Sequence, residues 1–267
     1  MADWTFKGEA KRLDDVDLPR IGRAIGVGED ELHAFMDVEA AGSGFDDSGR
    51  PKMLFEPHIF YKLLGPGKTR DKAVAQGLAY AKWKRGGYPA DSYDRLKKAM
   101  KLNATIALMS ASFGLFQIMG FNHGKAGYAT PEDMVRDFMA DEDNHVEAAI
   151  RFLINSKLDD DLRARRWDTI EKGYNGGGFG GAYAKKMAAA FARWQKIKDT
   201  PYDPKVHGVW DYLPGREKTP RQIVTDASVL PKPAPVPPSA NPPATAPVAK
   251  PAGFWAWLLS LFTKSAA

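Results

Sequence analysis

The stretch Thr130–Asn155, TPEDMVRDFMADEDNHVEAAIRFLIN, repeats its apolar residues at the helical interval and commits this chain to a helical core. Met134, Val135, Phe138, Met139, Ala149, Ile150, Leu153 and Ile154 fall on one stripe, the pattern of a helix with one buried face. Three local signals mark its start: Thr130 at the N-cap, Pro131 at the first helical position and Asp133 in the first turn. The hydroxyl accepts a backbone N–H that the helix leaves over, proline has no N–H to strand there, and the acid complements the positive end of the helix dipole. Similar patterns predict helices over Glu29–Val38, near 69–84, from Ser92 to about Ser110, and over Ala182–Ile197. Between them SGFDDSGRPKMLFE, Ser43–Glu56, places Asp47-Ser48-Gly49 between two short runs and predicts a hairpin. The expected fold class is α+β, mainly α, with one small β-hairpin.

Composition sets the outer limits. The 267 residues are 44% hydrophobic, enough for one good-sized domain with additions. With no cysteine, disulfides, thiol nucleophiles and thiolate-bound zinc are excluded. A net charge of +5 favours polyanionic partners such as nucleic acid, anionic lipid or a bacterial wall. Lys and Arg are interspersed with acids rather than gathered in a stripe, so nucleic acid is not expected. His33, His58, His123, His145 and His207 show no metal-ligand spacing, so no metal and no cofactor are expected.

The globular domain is expected over residues 1–200. A Pro/Ala-rich linker is expected over 201–253, its first part, 201–217, a transition in which Trp210 and Tyr212 are candidates to pack back on the domain, followed by an apolar tail over 254–267. The tail's FWAWLLSLF is too short to span a bilayer. Trp255, Trp257 and Lys264 suit a weak membrane-surface contact through residues 254–264; the alternative is a tail folded back on the domain. The opening MADWTFKGEAKRLDDVD has no continuous apolar run, so no signal peptide is expected.

Glu39 is the main candidate for chemistry. Leu32, Phe35 and Met36 are spaced three and four apart, and the next position on that face holds Glu39 where the core calls for an apolar residue. Desolvation there would keep the carboxyl protonated near neutrality, as a general acid requires. The plain alternative is a helix-end glutamate turned to solvent. Asp46 and Asp47 read as turn residues, and Glu56 and His58, in LFEPHIF, as a structural pair or as cleft lining. Gln117 stands inside the apolar run SASFGLFQIMGFN, and Tyr174 and Asn175 precede glycines in EKGYNGGGFGGAY. Taken alone, these read as a buried glutamine bonded to backbone and as a helix C-cap.

In order, VEAAGSGF, GRPKMLFEPHIFY, SFGLFQIMGFN and YNGGGFGGAY resemble the phage-type N-acetylmuramidases, lysozyme-like endolysins, over about residues 5–197. The resemblance implies a lysozyme-like catalytic domain cutting the β-1,4 bond between N-acetylmuramic acid and N-acetylglucosamine in bacterial peptidoglycan. It makes Glu39 the catalytic acid and puts Glu56, His58, Gln117, Tyr174 and Asn175 against the substrate. Ala40 departs from the serine common in these relatives. The alternatives left open are a lytic transglycosylase using the same acid and a non-catalytic lytic protein that binds wall or membrane. A monomer is expected, held in the host cytoplasm before release and acting on the wall.

Overall fold

The computed structural model describes residues 4–40, 42–83, 89, 91–175 and 180–210. In chain order its helices are α1 (Asp17–Ile25), α2 (Glu29–Glu39), α3 (Pro57–Leu64), α4 (Lys68–Ala75), α5 (Tyr93–Met100), α6 (Ala104–Met109), α7 (Pro131–Ala140), α8 (Glu142–Asn155), α9 (Asp159–Arg163), α10 (Trp167–Asn175), α11 (Ala182–Trp194) and α12 (Pro204–His207). The strands are β1 (Met53–Phe55), β2 (Ala111–Phe113) and β3 (Ile118–Met119). The fold is mainly helical with a small antiparallel sheet, the α+β class the sequence indicates.

Among the described residues the chain divides into two units, one of residues 4–12 and 42–149, the other of 13–40 and 150–210. In the first, the sheet order is β1-β2-β3, with Met53 opposite Phe113 and Phe113 opposite Ile118. The turn at Asp46–Gly49 forms as the sequence predicts, with Gly49 at φ +74° and its N–H donating to Asp46. Its flanks form the Phe45–Pro51 bridge, with the Asp46 N–H donating to Arg50 and the Lys52 N–H to Gly44, and β1 takes its partner from β2. The Asp46 carboxylate accepts from the Ser48 and Arg50 amides and pairs with Arg50 at 2.7 Å. Arg50 also lies over the Tyr93 ring at 4.2 Å, and the Tyr93 hydroxyl donates to the Pro51 carbonyl at 2.5 Å. These side chains close the sheet edge that so short a hairpin leaves weak.

The long run Thr130–Asn155 is two helices rather than one. Thr130 caps α7 by accepting the Asp133 N–H, as expected. At Asp141 the backbone turns extended, φ −155° and ψ 140°. There the Lys11 N–H donates to Ala140 and the Glu142 N–H donates to Lys11, so a distant segment supplies the bonds that the helix gives up. Asp141 then accepts the Asp143 N–H at the start of α8. The predicted helix from 92 to 110 is likewise broken, where Asn103 caps α6 by accepting the Ile106 N–H. The helix expected near 69–84 ends at Ala75.

In the second unit α11 is bound to α2 through Asp37, which accepts from Arg193 at 2.8 Å and from Trp194 Nε1 at 2.9 Å. His33 stacks on Trp194 at 3.7 Å. Leu32, Phe35, Leu153, Ile170 and Met187 are fully buried. Residues 201–210 carry α12, and Trp210 is buried with the Arg151 guanidinium 5.7 Å from its ring. Tyr212, the rest of the linker and the tail lie outside the described residues.

Candidate active site

Glu39 is the last residue of α2. The first turn of that helix carries Glu29, Asp30 and Glu31, and Glu31 closes it by accepting the Gly28 N–H at 3.0 Å. The deeply buried face runs through Glu31, Ala34, Phe35 and Val38, with Glu31 paired to Arg165 at 3.1 Å. Leu32 and Phe35 lie in the core as the sequence spacing implies, and the buried face extends from them toward Glu31, Ala34 and Val38 rather than toward Met36 and Glu39. Met36 and Glu39 therefore lie at its half-buried edge rather than in its centre. At Ala40 the chain leaves the helix in an extended conformation.

Tyr174, near the end of α10, is buried in the same unit, edge-on to Phe35 at 5.1 Å and to Phe152 at 5.4 Å. Burial pushes its phenol well above the usual tyrosine range, and the negative charge of Glu39 raises it further. The structure thus brings Glu39 and Tyr174 within each other's field. Asn175 ends α10, and its side chain lies outside the described residues.

Glu56, His58 and Gln117 belong to the first unit. Glu56 is fully buried, and His58 Nδ1 lies 3.1 Å from its carboxylate. Tyr80 is pushed up by burial, with Arg95 opposing and Glu56 adding to the shift, so Glu56 and Tyr80 lie within each other's field. Gln117 occupies the turn between β2 and β3 at φ +50°. Its amide donates to the Lys52 and Gly114 carbonyls at 3.0 and 2.8 Å and accepts from Ser112 Oγ at 3.0 Å. The side chain that interrupts the apolar run is thus bonded inside the turn and sets its shape. Among the described residues no group of three or more His, Asp or Glu side chains is arranged to hold a metal ion.

The sequence matches the Muramidase family, described as N-acetylmuramidase, over residues 29–195. The chain belongs to the N-acetylmuramidase family. It is also similar to the crystal structure of a Burkholderia AP3 phage endolysin, at 32% identity and a TM-score of 0.62, covering 70% of this chain and 72% of the other. No curated protein matches it. The muramidase is a glycosidase-type peptidoglycan hydrolase.

Three buried side chains of the muramidase that bind loop and helix-end amides escape a reading of local pattern. Glu142 is 2% exposed and accepts from the Gly44 N–H at 2.6 Å, Ser43 Oγ at 3.2 Å and Arg12 Nε at 2.8 Å. His145 is fully buried, its Nε2 2.8 Å from the Phe138 carbonyl and its Nδ1 accepting the Leu115 N–H at 3.1 Å. Glu171 accepts the Gly181 and Ala184 amides at 3.1 and 2.8 Å, which satisfies the start of α11. Their only sequence signal is a charged or polar residue inside an otherwise apolar helical stripe.

Proposed function

We propose that this muramidase cleaves the β-1,4 bond between N-acetylmuramic acid and N-acetylglucosamine, with Glu39 as general acid. The observation that carries the reading is the setting of Glu39. The residue is half-buried at the end of α2, where the chain turns extended, and its charge is felt by a buried phenol. In the reaction, protonated Glu39 gives its proton to the glycosidic oxygen as the bond to C1 breaks. The sugar passes through an oxocarbenium-like state, water adds at C1, and the proton that water loses restores the acid. Tyr174 keeps its own proton, because burial and Glu39 both oppose its ionisation. It serves as a neutral wall to the acid. We assign His58, Asn175 and the turn shaped by Gln117 to the glycan, with fully buried Glu56 acting through His58.

The test is Glu39→Gln on purified, membrane-free peptidoglycan. Removing a general acid lowers the rate by about 10²–10⁴-fold, and circular dichroism should show an unchanged fold. Unchanged release of soluble muropeptides would remove Glu39 from the mechanism. Mass spectrometry of the wild-type products should give reducing muramic ends. Anhydro-muramic ends would instead mean capture by the muramic 6-hydroxyl.

A further inference from the structure

We propose that Glu142 and His145, adjacent on one turn of α8, are positioning residues of the muramidase. Together they hold the Ser43–Phe45 segment, which follows Glu39 in the chain, and the Gly114–Gln117 turn in one fixed arrangement. The inference rests on the reading of Glu39 as the acid.

Each residue grips the exit segment in its own way. Glu142 takes the Gly44 N–H and the Ser43 hydroxyl, with Arg12 balancing its charge. His145 sets Nδ1 and Cε1 of its ring against the same glycine. A Cβ at Gly44 would overlap Nδ1, so no other residue lets the chain approach this closely. The same ring nitrogen accepts the Leu115 N–H, and a Cβ at Gly114 would lie 2.9 Å from it. Backbone then joins the two segments: the Lys52 N–H donates to Gly44, and the Lys52 carbonyl accepts from both Gly114 and the Gln117 amide. Glu142 thus fixes the Ser43–Gly44 side, and His145 is the side chain that both segments share.

The grip requires a neutral imidazole with its proton on Nε2, because Nδ1 must accept while Nε2 donates to Phe138. Burial favours that state, holding the ring's pKa down at about 4. The acids facing it, Glu142 on its own helix and Asp137 and Asp141 beside it, pull the other way but do not prevail. Protonating Nδ1 would set two N–H groups against each other at Leu115.

The experiment uses the full-length protein labelled with nitrogen-15. In the wild type the His145 ring should show the Nε2-protonated tautomer, and the Leu115 amide should resist hydrogen exchange until the ring protonates. Protection that is absent, or that ignores ring protonation, would overturn the clamp. His145→Gln, folded by circular dichroism, should lower kcat on soluble peptidoglycan fragments about tenfold or more with little change in KM, as misplacement of reacting groups does. Glu142→Gln, which keeps an acceptor for Gly44, should retain more activity than Glu142→Ala. A folded His145→Gln with wild-type kcat, or equal activity in the two Glu142 variants, would reduce both residues to structural packing. If His145→Gln does not fold, the Leu115 exchange in the wild type and the Glu142 pair decide. The exchange and tautomer readings do not depend on turnover, so failure of the clamp and failure of Glu39 are seen separately.

Discussion

Asp30 is the second residue of α2, the helix that ends in Glu39, and it bears a cost at neutral pH. Burial raises its pKa from 3.8 to about 6, with Asp199, Glu31 and Glu29 adding and Arg165 opposing. In the unfolded chain it titrates near its ordinary value. Between about pH 4 and pH 6 the folded state therefore binds more protons than the unfolded one. Stability from this group is complete below that window and lost as pH rises through it. At about 1.36 kcal/mol per pH unit, the shift from 3.8 to about 6 sets an upper bound near 3 kcal/mol. Asp30 is partly exposed, and solvent screening reduces this to about 1 kcal/mol. Asp30→Asn removes the repulsion but also gives up about 0.3–1 kcal/mol of attraction to the helix dipole. The net gain expected is about 0.5 kcal/mol, or roughly 1–2 °C in Tm for a domain of this size. Thermal unfolding followed by circular dichroism from about pH 4 to pH 8 measures it. The variant should melt higher than the wild type at neutral pH, with the advantage shrinking as pH falls. A difference that does not change with pH, or an advantage of the variant that is smaller at neutral pH than in acid, would refute the reasoning.

Three other outcomes are expected. Tyr174→Ala removes a buried ring between Phe35 and Phe152 and should cost about 3–5 kcal/mol in chemical denaturation. Tyr174→Phe keeps the ring, should melt close to the wild type, and isolates the contribution of the phenol beside Glu39 to the rate on peptidoglycan. Glu171→Ala leaves the Gly181 and Ala184 amides without their acceptor and should destabilise by about 1–3 kcal/mol, with a smaller loss for Glu171→Gln. A chain ending at Pro251 should keep its melting temperature and its activity on purified peptidoglycan but lose binding to anionic liposomes. A fall of several degrees in Tm, with no liposome binding in the full chain, would make residues 254–264 part of the fold.

What the sequence determined by itself is local. Thr130, Pro131 and Asp133 start a helix because caps and dipole act within one turn. Asp46–Gly49 turns because its bonds close within four residues. Glu39 stood out because a carboxyl at an apolar interval is an anomaly even without coordinates, and the ordered motifs around it pointed to the muramidases. What only the tertiary structure decided depends on partners far along the chain. The break at Asp141 exists because Lys11 supplies its hydrogen bonds, and β1 pairs with β2 across a separation that no periodicity records. Leu32 and Phe35 of α2 are buried as their spacing implies, but the covered face widens toward Ala34 and Val38 because helix burial follows the neighbours that cover it, and a half-buried edge for Glu39 is the result. Glu142, His145 and Glu171 look like errors in an apolar pattern until the backbone amides they receive are in place. A buried charge or imidazole is stable only when its hydrogen bonds are made. Those bonds are set by where the loops fold, not by the residues beside it in sequence.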